Sequence, residues 1–195
     1  MATDMNAAIL EQALEALGAV LAERGLRYEL VAVGGSSLML LGLLARPTKD
    51  LDVVARVEEG AYVRADPLPQ GLADAVRDVG VALDLAGDWL NAGPASLMDF
   101  GLPQGFEERT TIRRFGGLAL HVVSRRDQIC LKLYAATDQG MRSKHADDLR
   151  RLRPTRGELL AGARWTRTHD PSEGFRQILL HTLHELGVND VEAEL

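Results

Sequence analysis

The sequence lacks the features of secreted, membrane-spanning and duplex-binding proteins. Its 195 residues include one cysteine, Cys130, so no intramolecular disulfide can form. No uninterrupted apolar run reaches the ~18 residues that mark a membrane-spanning helix. The first residues have neither the basic start nor the apolar core of a signal peptide, and a net charge of −6 argues against general binding to duplex nucleic acid. These absences predict a cytoplasmic protein with no membrane partner.

Positive charge is nevertheless concentrated in one part of the chain. Between Gln104 and Arg156 there are twelve Lys/Arg and six Asp/Glu residues, so this stretch carries +6 and the remainder carries −12. A basic segment facing an acidic pocket could hold a triphosphate or an RNA end. The alternative for Arg150, Arg151 and Arg153 is a solvated helix surface, and the sequence leaves both interpretations open.

The hydrophobic pattern predicts an α+β protein with a short mixed β-sheet core, an N-terminal helix and a C-terminal helical module. We expect the core in residues 1–123, a helical module packed on it in residues 124–187, and a frayed acidic tail in residues 188–195. The elements that bear on function are a strand over 27–33, a helix over 37–45 and a strand over 50–55.

The motif Gly34-Gly35-Ser36-Ser37 follows an apolar run rich in β-branched residues, which predicts a strand that ends in a tight turn. Ser36 or Ser37 is expected to cap the next helix, whose first N–H groups would point over the turn and bind phosphate. Gly35 is expected to need positive φ, so that phosphate can approach the backbone. Taken alone, such a motif is a common turn.

The second motif is Asp50-Leu51-Asp52. Residues two apart in a strand share a face, with Cα atoms roughly 7 Å apart, and two carboxylates about 4 Å apart repel by roughly 4 kcal/mol at an effective dielectric near 20. A divalent cation converts this repulsion into ligation, and Mg²⁺ favours carboxylates together with substrate phosphates. An Asp-x-Asp pair alone is often the solvated face of an edge strand. Here the pair follows the glycine motif after one short helix, and the two motifs in this order predict a phosphoryl-transfer site.

The two motifs together resemble the pattern of a known superfamily. Gly35-Ser36, a helix-length gap and Asp50-Leu51-Asp52 resemble the pattern of the DNA polymerase β-type nucleotidyltransferase superfamily, and Thr48 suits its toxin-like and minimal members. The segments 131–136 and 144–149 resemble the tail of the AbiE-type toxin nucleotidyltransferases and their small bacterial relatives. The resemblance covers about residues 27 to 153.

The resemblance implies an enzyme that moves a nucleoside monophosphate from an NTP, such as ATP, to the hydroxyl of a tRNA, a protein or a small molecule. Asp50 and Asp52 would be catalytic and would bind Mg²⁺ or Mn²⁺, and residues 34–37 would bind the nucleotide. Lys132 would neutralise triphosphate charge, and Asp148 would orient Lys132 or act as a base. A cognate antitoxin is a further partner that a toxin-like member would have.

Other interpretations remain for the last two residues. Lys132 could instead extend its charge out of an apolar stretch to solvent, and Asp148 could instead form a helix-surface salt bridge with Lys144.

Some residues depart from the superfamily pattern. His145 stands where an Asp is expected, and the third carboxylate usual on a later strand has one candidate, Asp84, if Val81 to Leu85 is a strand rather than part of a helix. The departures support a rival hypothesis, a catalytically inactive relative that binds a nucleotide or a partner protein. The acceptor, the base preference, the oligomeric state and membership of a toxin–antitoxin pair are not determined by the sequence.

Overall fold

The computed structural model describes residues 4–195, which divide into two compact units after Val123. The first unit contains α1 (Ala7–Glu23), β1 (Tyr28–Val33), α2 (Gly34–Leu40), β2 (Leu51–Glu58), β3 (Ala61–Arg64), α3 (Gln70–Ala82), β4 (Leu90–Asn91), β5 (Thr111–Phe115) and β6 (Leu118–Val122). The second unit contains α4 (Arg125–Gln139), α5 (Lys144–Leu152), α6 (Arg156–His169) and α7 (Glu173–Glu185). The α+β class predicted from the sequence is confirmed.

One mixed sheet organises the first unit. Its strand order is β3-β2-β1-β6-β5, with the short β4 also paired to β2. Strand β1 runs antiparallel to β2 and parallel to β6, and β5 and β6 form a hairpin around Gly116-Gly117. A register shift between Val31 and Ala32 adjusts the β1–β2 pairing just before the glycine motif.

The main core covers one face of this sheet. Leu10, Leu14, Leu17 and Leu21 recur at helical spacing on α1, and all four are fully buried against residues of α3 and of the strands. Trp89 is also fully buried, and its indole Nε1 donates to the Val76 carbonyl at 2.8 Å. This anchor fixes the chain immediately before β4 and so places β4 beside β2.

A buried histidine ties together three strands of the sheet. His121 on β6 lies 3.0 Å from the Glu29 carboxylate through Nε2 and 3.1 Å from the Tyr62 hydroxyl through Nδ1. Burial raises the pKa of Tyr62 above its usual 10.0, and a hydrogen bond with Thr110 offsets only part of this rise. The network gives β1, β3 and β6 a polar connection that the hydrophobic pattern does not reveal.

Helices of the second unit begin with well-formed caps. The hydroxyls of Ser124, Ser143, Thr155 and Ser172 each accept a backbone N–H three residues ahead. Gly162 of α6 packs against α4, where an added Cβ would lie 3.4 Å from the Cα of Cys130. Among residues 4–195, no helix combines the length and the apolar character needed to cross a bilayer.

The expectation of a frayed C-terminal tail is wrong. Val188 and Val191 are only 5% and 2% exposed, and the Glu194 carboxylate pairs with Arg156 at 2.7 Å and with Arg164 at 3.2 Å. The acidic composition of the tail suggested repulsion and solvation. Two valines three residues apart and two arginines on α6 hold it in place instead.

Candidate active site

The glycine motif lies where β1 passes directly into α2. Val33 is the N-cap residue, no side chain caps the helix, and Gly34 has φ +80°. The expected cap by Ser36 or Ser37 is therefore wrong, because the helix begins earlier and both serines fall in its first turn. The helix has seven residues and ends at Leu40, short of the predicted Ala45.

Ser36 connects the glycine motif to the aspartate motif. Ser36 is only 1% exposed, and its hydroxyl donates to the backbone carbonyl of Asp50. The Thr48 hydroxyl also lies 3.2 Å from Oδ1 of Asp50 and 3.3 Å from its carbonyl oxygen. Thr48 is in turn held by two backbone hydrogen bonds with Met5, at 2.7 and 3.0 Å. Two hydroxyls therefore fix Asp50 before it meets any ligand.

The Asp52 carboxylate lies against Gly34. Strand pairing sets Asp52 opposite Val33, and a Cβ added to Gly34 would lie 2.7 Å from Oδ2 of Asp52. Gly34 is thus required both for its positive φ and for the space that Asp52 occupies. The expectation that Gly35 needs positive φ is wrong, because Gly34 is the residue with that backbone conformation.

Asp50 and Asp52 show the alternation expected at a strand. Leu51 between them is fully buried, whereas both aspartates are partly exposed. Within residues 4–195 no group of three or more His, Cys, Asp or Glu side chains is arranged to hold a metal ion. Two carboxylates beside a glycine turn fit Mg²⁺ or Mn²⁺ that arrives with substrate phosphates, better than they fit an all-protein metal site.

The predicted role of Asp84 as a strand carboxylate is not supported by its position. Asp84 is exposed in the turn after α3, in the left-handed region at φ +53°. The sequence Val81-Ala82 continues the helix instead of starting a strand. The strand that does lie beside Asp52 is β4, which puts Asn91 directly opposite it in a parallel pair.

Asn91 is therefore a site neighbour that the sequence analysis missed. Its Oδ1 accepts the backbone N–H of Gly93 at 2.8 Å. A strand of two residues is too short for a period-two pattern, and the apolar Trp89-Leu90 pair before a Gly-Pro turn does not by itself predict a strand beside Asp52. An amide stands where a third carboxylate would complete an acidic cluster.

Arg46 is the other neighbour that sequence analysis missed. A Cβ added to Gly35 would lie 3.4 Å from Arg46 Nη2 and 3.7 Å from the Thr48 hydroxyl oxygen. The guanidinium is therefore close to the backbone of the glycine motif, where it contributes positive charge.

A family model described as a nucleotidyltransferase of unknown function (DUF6036) matches residues 9–152. The chain belongs to this family. Neither a curated protein nor a solved structure matches it. Membership of this nucleotidyltransferase family agrees with the superfamily predicted from Gly35-Ser36 and Asp50-Leu51-Asp52. A closer relation to the AbiE-type toxins is not established by it and stays a prediction.

The second unit of this family member brings the other two predicted residues together. The Lys132 Nζ on α4 lies 2.8 Å from the Asp148 Oδ2 on α5, and the two side chains are 4% and 0% exposed. Because both side chains are buried, two alternatives are wrong: Lys132 does not extend its charge to solvent, and Asp148 does not form a pair on the helix surface. Asp148 holds Lys132, whereas a catalytic role for either residue remains a prediction.

Proposed function

We propose that this protein is a metal-dependent nucleotidyltransferase that transfers a nucleoside monophosphate from an NTP to an acceptor hydroxyl. The observation that supports it most directly is the contact between Gly34 and the Asp52 carboxylate. That contact puts the glycine motif beside the carboxylate of Asp52, and a phosphate-binding turn next to metal-binding carboxylates is the combination that phosphoryl transfer needs.

Each residue then has a role. Gly34 leaves room for the Asp52 carboxylate, the backbone N–H groups of residues 34–37 are proposed to bind phosphate oxygens, and Ser36 keeps Asp50 in position. Asp50 and Asp52 would hold Mg²⁺, which when bound neutralises charge on the reacting phosphate. The acceptor hydroxyl loses its proton to water and its oxygen bonds to the α-phosphorus, while the bond between that phosphorus and the oxygen bridging to the β-phosphate breaks and pyrophosphate leaves. Lys132, oriented by Asp148, is proposed as the cation that neutralises triphosphate charge.

The acceptor is proposed to be a tRNA, a protein or a small molecule. In the first two cases the enzyme would be toxin-like and would have a cognate antitoxin. This part of the proposal rests on the resemblance of segments 131–136 and 144–149 to the AbiE-type enzymes.

Label transfer tests the proposal. The protein is incubated with each of four labelled NTPs, Mg²⁺ and either total RNA or lysate. Asp50→Asn and Asp52→Asn are each expected to abolish transfer, because losing a metal ligand costs several kcal/mol at the reacting phosphate. Both variants should unfold at the wild-type temperature or above, because a like-charge repulsion is removed.

Asp84→Asn is the matched control. It makes the same chemical change at an exposed residue whose left-handed backbone Asn tolerates well, so transfer should stay at the wild-type level. Wild-type transfer by the Asp50→Asn protein would refute the assignment.

The rival function, an inactive nucleotide-binding relative, is favoured by one observation, the amide of Asn91 next to Asp52. Such a protein would bind Mg²⁺ and NTP through the same aspartates and would transfer no label to RNA, protein or small molecules. The inactive relative would be supported if Mg²⁺–NTP binding is lost in Asp52→Asn and the wild-type protein transfers label to no acceptor.

A further inference from the structure

The start of α4 and the end of α5 meet in the second unit. The Arg125 Nη2 donates to the backbone carbonyl of Leu152 at 2.9 Å. Arg126 directly follows the donor, and Arg153 directly follows the acceptor. Both side chains are exposed, and so is that of Arg151. We call Arg126, Arg151 and Arg153 the arginine surface.

Arg126 occupies a position that local electrostatics disfavour. It is the second residue of α4, next to another arginine, at the helix end where the backbone dipole repels cations. Arg125 has compensation, because its guanidinium pairs with Glu158. Within the described second unit, no hydrogen bond or ion pair involves the Arg126 side chain.

Arg153 occupies a position that its backbone disfavours. It ends α5 in the left-handed conformation, at φ 48° and ψ 59°, where glycine is the usual residue. Its side chain also has no hydrogen bond or ion pair within the described second unit. Neither arginine is therefore explained by local stability or by a partner in its own unit.

The carboxylates around the arginine surface are already engaged. Glu158 binds Arg125 and caps α6. Asp127 is fully buried and accepts from the Ser124 hydroxyl at 2.6 Å. Asp148 pairs with Lys132. Asp147, four residues before Arg151, pairs with Arg150 at 3.0 Å. Each of these four carboxylates therefore already has a partner of its own, and the arginine surface keeps its positive charge.

We propose that the arginine surface binds the phosphodiester backbone of a nucleic acid, and that the acceptor in nucleotidyl transfer is therefore a nucleic acid. Only the statement about the acceptor rests on the proposed function. Guanidinium groups bind phosphates through paired N–H donors, and several cations in a row suit a ligand whose charges repeat. A chain of net charge −6 repels polyanions overall, so binding requires a local basic surface of this kind.

The test measures binding of the full-length protein to a labelled single-stranded RNA and to a DNA of the same sequence, by anisotropy at several salt concentrations. The triple variant Arg126→Gln, Arg151→Gln, Arg153→Gln is expected to bind at least tenfold more weakly. Its slope of log K against log salt should fall by about 2, because each phosphate contact on a single strand contributes about 0.7. Tighter binding of RNA than of DNA, together with label transfer to the RNA alone, would identify RNA as the acceptor.

Two further variants guard the interpretation. A control triple, Arg27→Gln, Arg77→Gln, Arg114→Gln, removes the same charge from exposed arginines of the first unit and should change affinity by less than twofold. Arg153→Gly should melt at the wild-type temperature or above, because glycine suits the left-handed position, and yet should bind nucleic acid more weakly.

Wild-type affinity and salt slope in the arginine-surface triple would overturn the proposal, and so would an equal loss in the control triple. Transfer by the wild-type protein to a protein acceptor alone would also overturn it. A protein that binds the oligonucleotides through the arginine surface but binds no Mg²⁺–NTP would instead refute the proposed function and leave the surface standing.

Discussion

Gly34 is the residue on which the candidate site depends most. Its positive φ lets β1 turn directly into α2, and its missing side chain makes room for the Asp52 carboxylate. Gly35, next to it, has neither constraint to the same degree, because its nearest neighbour is the flexible end of Arg46 at 3.4 Å. Two glycines that are equivalent in the sequence therefore have different roles.

Gly34→Ala and Gly35→Ala form a matched pair that tests this difference. In Gly34→Ala the new Cβ must displace the Asp52 carboxylate, and the alanine must adopt a left-handed backbone conformation, which costs about 1 kcal/mol or more. We expect at least a tenfold loss of nucleotidyl transfer and weaker binding of Mg²⁺–NTP, measured by label transfer and calorimetry. Gly35→Ala should keep most of both activities. Equal losses in the two variants would contradict the role assigned to Gly34.

Helices α4 and α5 are joined by the buried pair of Lys132 and Asp148. A buried ion pair stabilises little compared with well-packed apolar residues, but removing one partner leaves an uncompensated charge, which costs about 3–5 kcal/mol. The pair therefore has a structural consequence whatever its part in transfer.

Lys132→Met, Asp148→Leu and the double variant separate the two roles. Each single change should lower the free energy of unfolding by about 3–5 kcal/mol, and the double variant should lose less than the sum of the two. If Lys132 also acts in transfer, Lys132→Met should lower turnover more than nucleotide affinity, because charge develops on the departing pyrophosphate. Strictly additive losses in urea unfolding would contradict the coupling, and unchanged turnover in a folded variant would remove Lys132 from the site.

The capping box at the start of α6 is the element whose stability should depend on pH. Burial alone would raise the pKa of Glu158, but the Thr155 backbone N–H and the Arg125 guanidinium outweigh burial and hold this pKa below its usual 4.5. A carboxyl with a lowered pKa stabilises the fold above its usual pKa, and this contribution disappears as the pH falls through the lowered value.

Glu158→Gln and Thr155→Ala test the box. The stability difference between wild type and Glu158→Gln should be constant above about pH 5 and should shrink as the pH falls below the usual carboxyl range. Thr155→Ala should cost about 1 kcal/mol at neutral pH, through the lost cap. Both effects are measured by urea unfolding, and a stability difference that stays constant down to acid pH would contradict the ionised role of Glu158.

At the scale of the whole molecule, metal and nucleotide should stabilise the protein together. Two carboxylates without a third ligand group hold Mg²⁺ weakly, and phosphates complete its coordination. We expect Mg²⁺ alone to shift the melting temperature little. Mg²⁺ with the preferred NTP at about 100 times its Kd should add about 2.7 kcal/mol to the free energy of unfolding. Chelation should reverse the shift, whereas an equal shift with Mg²⁺ alone would indicate an all-protein metal site.

The sequence alone determined the class of fold and the two motifs of the candidate site. The hydrophobic pattern predicted the N-terminal helix, because the spacing of its apolar residues is a local signal. The order of Gly34-Gly35-Ser36-Ser37 and Asp50-Leu51-Asp52 was likewise enough to predict a nucleotidyltransferase, which agrees with the description of the matched family.

Only the tertiary structure decided which residues meet. The Asp52 carboxylate of β2 lies against Gly34 at the start of α2, a contact between distant segments that no local pattern encodes. Asn91 became a neighbour of Asp52 through a two-residue strand held by buried Trp89. The ion pair of Lys132 with Asp148 joins residues sixteen positions apart, on two helices whose packing brings them together. Each of these features depends on packing between distant segments, whereas sequence patterns report the preferences of one segment at a time.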